Sequence, residues 1–174
     1  MMSRPLAVPA LALVVLALSA GAAMAHGPSH HGPGGGACSQ AHRRQIREVV
    51  EDYLDVINER DTSQFSQVFS QDYLLVSTAG TFEGLPAVEG VMSAVYTALP
   101  DVHYELDELL IDGNKAVLRY TYTGTHLGDF LGIPATGNTV TCSGLEIDVI
   151  EDGYIVETRN FTDYHCLLTG LGAL

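Results

Sequence analysis

Two carboxylates near the C-terminus, Glu146 and Asp163, are the side chains best suited to acid–base chemistry. Burial in an apolar pocket raises the pKa of a carboxyl group towards neutrality, so such a group can remove and return a proton. Side chains alternate along a strand, which places Glu146 on one face with Cys142 and Asp148. If that face lines a pocket, Glu146 is the base; otherwise it is a rim or surface carboxylate. For Asp163 the competing interpretation is a cap or an ion-pair partner of the segment that ends the chain.

A strand followed by an apolar loop, residues 115–137, predicts that such a pocket exists. Residues 116–123 alternate small or polar side chains with large apolar ones, which is typical of a β-strand with two unlike faces. The loop that follows carries Phe130 and Leu131 among its glycines. Leaving these two side chains in water would forgo roughly 2 kcal/mol of burial each. We therefore expect the loop to form the rim of a cavity.

Helices come before strands in the predicted order of elements. Apolar residues at three- and four-residue spacing predict helices at 40–59 and 85–99, with a short helix through 65–69. A short strand is predicted at 73–77, and a turn or second short strand at 81–84.

Two hairpins follow, formed by residues 102–111 with 115–123 and by residues 139–150 with 154–163. Helices followed by a run of antiparallel strands predict an α+β fold, a curved sheet with helices on one face. The chain has no GxGxxG, phosphate-loop, GxSxG or HExxH motif. These absences argue against a nucleotide cofactor, a serine-hydrolase elbow and a zincin.

The first 25 residues predict export. Arg4 precedes a short apolar core, and small residues at 23–25 form a cleavage pattern, as in a secretory signal peptide. An uncleaved N-terminal anchor is the alternative. Residues 26–39 are rich in Gly, Pro and His, which predicts a disordered linker before a domain at 40–174.

Three histidines in this linker invite a metal site at the new N-terminus. The alternative is a flexible tail that scavenges metal incidentally. The histidines are His26, His30 and His31.

The chain carries 8 Lys and Arg against 21 Asp and Glu, a net charge of −13. An acidic surface repels nucleic acid and anionic lipid, so neither is an expected partner. In an exported protein the three cysteines, Cys38, Cys142 and Cys166, meet an oxidising compartment. One disulfide is possible, but the odd count leaves one thiol over and the pairing stays open.

Four motifs occur along the chain in a familiar order: ALPD at 98–101, GTHLGDFLGIPATG at 124–137, EDGYIVE at 151–157 and LLTGLG at 167–172. Together they resemble the SnoaL-like polyketide cyclases, an ester cyclase group of the nuclear transport factor two-like superfamily. The resemblance implies a cone-shaped, curved antiparallel sheet with N-terminal helices packed on its concave face. It also implies a deep, mostly apolar cavity between the sheet and the helices.

The resemblance further implies ring closure of a polyketide ester by intramolecular aldol condensation, without a metal or an organic cofactor. The family's general acid/base is a carboxylate on the last strand, and in this chain that position falls on Asn160. An amide takes up no proton at useful pH, so Asn160 would serve as a hydrogen-bonding anchor. Glu146 stands on the preceding strand, where the cyclases often carry His or Asp. Glu146, Asn160 and Asp163 are therefore the candidate catalytic residues.

Further residues are predicted to bind the ligand, with a core or structural role as the alternative for each. His126 lies among the glycines of the rim loop, where it would order the loop or touch the ligand. Arg119, if buried, would need an acidic partner such as Glu146 or Asp163. The other candidates are Tyr53, Met92, Tyr96, Tyr120, Tyr122 and Phe130.

We therefore expect an exported, single-domain protein that binds a small hydrophobic carbonyl compound. As an enzyme it would be a cofactor-free acid/base cyclase, isomerase or lyase. The alternative is a non-catalytic ligand-binding or dimerisation module that lacks the family's carboxylate at position 160. From the fold we also expect a homodimer through the exposed face of the sheet, and no membrane attachment after signal cleavage.

Overall fold

The computed structural model describes residues 39–174. The predicted signal peptide, the three tail histidines and Cys38 lie outside the described residues, so the statements about them stay predictions. Within residues 39–174, no helix is both long enough and apolar enough to cross a membrane.

The predicted order of helices before strands is found, with one addition, a short helix that closes the chain after the last strand. The elements are α1 (Gln40–Glu59), a 3-10 helix (Thr62–Gln67), β1 (Phe69–Ser77), β2 (Gly80–Glu83), α2 (Leu85–Ala98), β3 (His103–Asp112), β4 (Lys115–Thr125), β5 (Thr139–Glu151), β6 (Tyr154–Thr162) and α3 (Tyr164–Gly170).

A six-stranded sheet forms the body of the fold, in the order β2-β1-β6-β5-β4-β3. Neighbouring strands run antiparallel except β1 and β6, which run parallel. A tight hairpin obliges two strands to run antiparallel, and no hairpin joins β1 to β6. The architecture confirms the predicted α+β fold, with this one parallel pair inside an otherwise antiparallel sheet.

Helix α1 covers one end of the sheet with its apolar stripe. It begins where the Ser39 side chain accepts a hydrogen bond from the His42 amide, 3.1 Å away, and ends at Arg60 in a left-handed conformation, φ 59°. Buried residues of the stripe, Val50 among them, pack in one cluster with Leu118 of β4. The periodicity that predicted the helix therefore also identifies the face that packs against the sheet.

Helix α3 packs against the other end of the sheet. Its N-cap is Asp163, whose carboxylate accepts a hydrogen bond from the Cys166 amide at 2.9 Å. A disulfide joins Cys166 to Cys142 of β5, with the two Cα atoms 5.9 Å apart. Leu167 and Leu171 of the same segment are buried. The structure thus supplies the cysteine pairing that the sequence left open.

The rim loop, residues 126–138, is held closed at its base. The His126 amide donates to the Asn138 carbonyl and the Gly137 amide donates to the His126 carbonyl, each at 2.9 Å. At its tip the loop turns tightly, with Leu131 at φ 53°. Phe130 is half-buried, whereas Leu131 is 78% exposed, contrary to the expected burial of both. Phe130 and Ile133 of this turn pack against the core cluster around α3, whereas Leu131 points to solvent.

Candidate functional site

A cavity of about 170 Å³ lies between the inner face of the sheet and helices α1 and α2. Its walls are mainly aromatic and aliphatic, and Tyr53, Phe65 and Tyr73 are buried at its inner end. Ala79 and Phe82, which are at least partly exposed, line its outer side. The cavity predicted from the apolar rim loop is therefore present.

Strand β5 brings the central carboxylate into this cavity. Alternation along β5 turns Gly144, Glu146 and Asp148 inward, and Glu146 is only 3% exposed. In the sheet register Glu146 lies opposite Asn160 of β6 and Leu118 of β4. Glu146 and Asn160 both line the cavity.

The Asn160 side chain is held by three hydrogen bonds. Its amide nitrogen Nδ2 donates to the Tyr120 hydroxyl at 2.8 Å and to Glu146 Oε2 at 3.3 Å. Its oxygen Oδ1 accepts from the Thr162 hydroxyl at 2.8 Å. The amide nitrogen can only donate and the amide oxygen can only accept, so these three partners fix the orientation of the amide. Its nitrogen points towards the Glu146 carboxylate.

A glycine makes room for Tyr120 in this cluster. Tyr120 lies opposite Gly144 in the β4–β5 register. A Cβ atom at Gly144 would lie 2.5 Å from the Tyr120 ring carbon Cζ and would also meet the hydroxyl oxygen. The phenol therefore crosses the strand directly over Gly144 to reach Asn160.

Burial raises the pKa of Glu146 to about 7. The main cause is the loss of water around the carboxylate, and hydrogen bonds from Tyr53 and Asn160 offset part of this effect. A carboxyl group with a pKa near neutrality both accepts and releases a proton readily at physiological pH. Glu146 is thus suited to proton transfer inside an apolar cavity.

A second acid, Asp148, lies behind the cavity wall. It is fully buried, and its Oδ1 accepts a hydrogen bond from the Thr158 hydroxyl at 2.6 Å. Burial raises the pKa of Asp148 well above its usual range, and the charge on Glu146 raises it further. The two buried acids therefore each favour their neutral form, and a charge on one disfavours a charge on the other. In the sequence, the only signal for Asp148 was that it shares a strand face with Glu146.

Most of the predicted ligand-binding residues do line the cavity. They are Tyr53, Met92, Tyr120, Tyr122 and Phe130. Tyr96 packs against the core instead, and its hydroxyl donates to the Ile57 carbonyl at 2.9 Å. Binding by the lining residues stays a prediction.

Three other predicted site residues do not line the cavity. Arg119 has an outward parity on β4, so its side chain is 51% exposed and pairs with Asp107 at 2.9 Å. His126 is buried in the neck of the rim loop, where its Nδ1 lies 3.0 Å from the Thr136 hydroxyl. Asp163 is held as the cap of α3.

Sequence reasoning missed several polar and aromatic lining residues. They are Tyr73, Tyr104, Thr158, Thr162 and Tyr164. The two threonines have the same strand parity as Asn160, which is the signal that would have found them.

A sequence model of the SnoaL-like polyketide cyclases matches residues 47–171. The chain belongs to the SnoaL-like polyketide cyclase family. The match spans most of the described residues and confirms the resemblance noted from the motifs. Among curated proteins, no sequence matches the chain.

Solved structures share the SnoaL-like fold. TsrD from Streptomyces laurentii is 29% identical, with a TM-score of 0.69 over 76% of this chain and 98% of TsrD. AclR from Streptomyces galilaeus, described as a candidate hydroxylase, is 25% identical, with a TM-score of 0.69 over 75% of this chain and 98% of AclR. TerC, crystallised with polyporic acid, is 17% identical, with a TM-score of 0.63 over 74% of this chain and 98% of TerC.

Proposed function

We propose that this SnoaL-like protein binds a small hydrophobic carbonyl compound in its cavity and isomerises or cyclises it by acid–base catalysis. The observation that carries the proposal is the position of Glu146, a carboxyl group with a pKa of about 7 inside an apolar, aromatic-lined cavity. Family membership supports the reaction class, because the family is one of polyketide cyclases.

In the proposed reaction, the Glu146 carboxylate removes a proton from the carbon next to the ligand's carbonyl group. The electron pair of the broken C–H bond moves into an enolate. The Tyr120 hydroxyl accepts a hydrogen bond from Asn160 and keeps its own proton for donation to the enolate oxygen. Isomerisation ends when Glu146 returns its proton to a different carbon. In cyclisation the enolate carbon attacks an internal carbonyl group, and Glu146 protonates the resulting alkoxide.

The proposed roles follow from what each group can do. Asn160 cannot act as a base, so it orients Tyr120 and Glu146 through its amide. Proton transfer of this kind needs no redox partner, because electrons stay on the ligand throughout. Asp163, held at the cap of α3, takes no part in these steps.

Enolisation of a model ketone tests the proposal without knowledge of the true substrate. Exchange of the α-hydrogens of 1-tetralone with D₂O, followed by NMR, should be accelerated by the unsubstituted protein. The variant Glu146→Gln should lose about 100-fold of this rate or more, because general bases typically contribute this much. Asp163→Asn is the matched control, since it removes a carboxylate outside the cavity and should retain the rate.

The non-catalytic alternative predicts a different result. Binding of 1-tetralone without acceleration of exchange would reject the enzyme and leave a ligand-binding module. Exchange that persists unchanged in Glu146→Gln would place the base elsewhere.

We also propose that the chain is exported. The support is the signal-peptide pattern of residues 1–25, which lie outside the described residues. N-terminal sequencing of the mature protein should begin at His26. A mature chain that retains Met1 would reject cleavage.

A homodimer through the outer face of the sheet is a further proposal. Leu145 of β5 is 37% exposed and Phe161 of β6 is 54% exposed, and the two lie opposite each other in the register. Exposed apolar residues grouped on a sheet face favour association. Light scattering should give twice the monomer mass, and Phe161→Glu should reduce it. A monomer at micromolar concentration would reject the dimer.

A further inference from the structure

We propose that the Tyr122 hydroxyl binds a second, uncharged oxygen atom of the ligand, at the α3 end of the cavity. The ligand would then be an apolar compound with two separated oxygen functions, a carbonyl oxygen at the Tyr120 hydroxyl beside Glu146 and a second oxygen at Tyr122. This inference rests on the proposed function, because it deepens the description of the ligand that the same cavity binds.

The hydroxyl of Tyr122 is a buried donor on the cavity wall, without a partner among residues 39–174. Tyr122 is 5% exposed and lines the cavity. Among the residues that the structure describes, no group forms a hydrogen bond with its hydroxyl. Tyr120, the neighbouring inward tyrosine of β4, is paired with Asn160. A buried polar group without a partner is costly and rare, so an unpaired donor on a cavity wall indicates a contact that the ligand completes.

The position of Tyr122 separates this contact from the catalytic carboxylate. Tyr122 lies opposite Cys142 in the β4–β5 register, four residues along β5 from Glu146. Four residues of a strand span about 13 Å between Cα atoms. Leu99 and Leu167 line the cavity and belong to the same core cluster as Tyr122. Apolar walls thus surround the second polar group.

The surroundings of Tyr122 also define the kind of oxygen that fits. Burial raises the pKa of Tyr122, and nearby Tyr120, Tyr164 and Asp163 raise it further. The phenol therefore remains protonated and acts as a donor. Because the Asp163 carboxylate is close enough to contribute, an anionic group at this position would be repelled. A neutral carbonyl, ether or hydroxyl oxygen is the acceptor that satisfies both conditions.

The hydroxyl can be removed with little change in packing. The Tyr122 ring packs against Tyr104 at 5.7 Å and Tyr120 at 6.4 Å between ring centroids. Phenylalanine retains both ring contacts and lacks only the donor. Tyr96→Phe is the matched control, since Tyr96 does not line the cavity and its hydroxyl already has a partner in the Ile57 carbonyl.

Matched ketones test the inference by calorimetry. The probes are the methoxy-1-tetralones substituted at the 5, 6 or 7 position, each compared with the ethyl-1-tetralone of the same substitution, which replaces the ether oxygen by a methylene group. The unsubstituted protein should bind at least one methoxy compound about 5-fold more tightly than its ethyl partner, as expected for one hydrogen bond. Tyr122→Phe should abolish this preference and leave the affinity for the ethyl compound unchanged, and Tyr96→Phe should retain the preference.

The outcomes separate this inference from the proposed function. Binding of the tetralones without any methoxy preference, or with a preference that survives in Tyr122→Phe, would overturn the role of Tyr122 and leave the ketone-binding cavity in place. No binding of any tetralone to the unsubstituted protein would overturn both. The α-hydrogen exchange assay then reports on Glu146 independently of Tyr122.

Discussion

The amide nitrogen of Asn160 lies 3.3 Å from the carboxylate oxygen of Glu146, and the two residues oppose each other in the β5–β6 register. The neighbouring strands therefore present one acid and one neutral donor to the cavity at the same level. An acid at both positions would place two negative charges side by side in an apolar environment. The amide avoids this repulsion, and Glu146 alone titrates on the cavity wall at this level.

Replacing this amide by a carboxylate should make the site sensitive to pH. In Asn160→Asp, two adjacent carboxyl groups would share one proton, and the pKa of the second ionisation would rise above that of Glu146. The folded state is then stable while the pair holds a proton, and it loses stability as the pH rises. We expect a drop in melting temperature that is much larger at about pH 8 than at about pH 5. Thermal unfolding followed by circular dichroism at both pH values measures the difference.

Ser143→Asp serves as the control for added charge, because Ser143 is exposed on the outer face of β5. The change in melting temperature of Ser143→Asp should be similar at the two pH values. An equal loss of stability at both pH values in Asn160→Asp would show a packing defect rather than coupled ionisation.

Glu146 itself should reduce the stability of the protein at high pH. Its folded pKa is raised from 4.5 to about 7. Its neutral form is favoured in the folded state, so stability is highest below the unfolded pKa and falls as the pH rises towards 7. The shift corresponds to about 3 kcal/mol. Glu146→Gln should remove this contribution to the slope of unfolding free energy against pH, and it should stabilise the protein at about pH 8.

Urea unfolding across this range of pH checks the prediction. Asp148 stays in the variant and contributes a slope of the same sign, so the dependence should become shallower rather than vanish. Glu151→Gln, at the exposed end of the same strand, should leave the slope as it is. A slope unaltered in Glu146→Gln contradicts the raised pKa.

Gly144 should be intolerant of even one methyl group. In Gly144→Ala the new Cβ atom would meet the Tyr120 ring, which must move and lose its hydrogen bond to Asn160. We expect a loss of about 1–3 kcal/mol in the free energy of unfolding, together with weaker ketone binding. Gly90→Ala in α2 is the matched control, because its Cβ would meet nothing within 4 Å. Gly90→Ala should stabilise the protein by about 0.5–1 kcal/mol. If Gly90→Ala destabilised the protein and Gly144→Ala did not, the close contact between Gly144 and Tyr120 would be contradicted.

The disulfide should support the cavity as well as the fold. Cys142 and Cys166 are 24 residues apart, and a loop of this size corresponds to about 3 kcal/mol of stability. The bond holds α3, which supplies Tyr164 and Leu167 to the cavity wall. In a Cys38→Ser background, reduction should lower both the melting temperature and the affinity for 1-tetralone. Reduction without effect on either measurement would contradict a supporting role.

The sequence by itself determined the family and every element except α3. Apolar spacing identified α1 and its buried stripe, and two turns of the Asp-Gly and Glu-Asp-Gly kind identified the hairpins. These signals are local, since helix and strand periods act over a few residues and need no knowledge of distant partners. The rim-loop motif at 124–137 is also contiguous, and it was the strongest single indication of the SnoaL-like family. Alternation along β5 was enough to nominate Glu146.

Tertiary structure decided which side of each element faces the cavity. The sequence placed Arg119 on the odd-numbered face of β4 but did not show which face of the strand points inward. In the structure α1 packs on the even-numbered residues of β4, so Arg119 points outward. The capping role of Asp163 and the disulfide partner of Cys166 both depend on α3. This helix is too short to be predicted from its own sequence. Glu146 and Asn160 are 14 residues apart and meet only through strand register. The pKa of Glu146 is likewise a property of the assembled walls, because desolvation requires every element around the cavity to be in place.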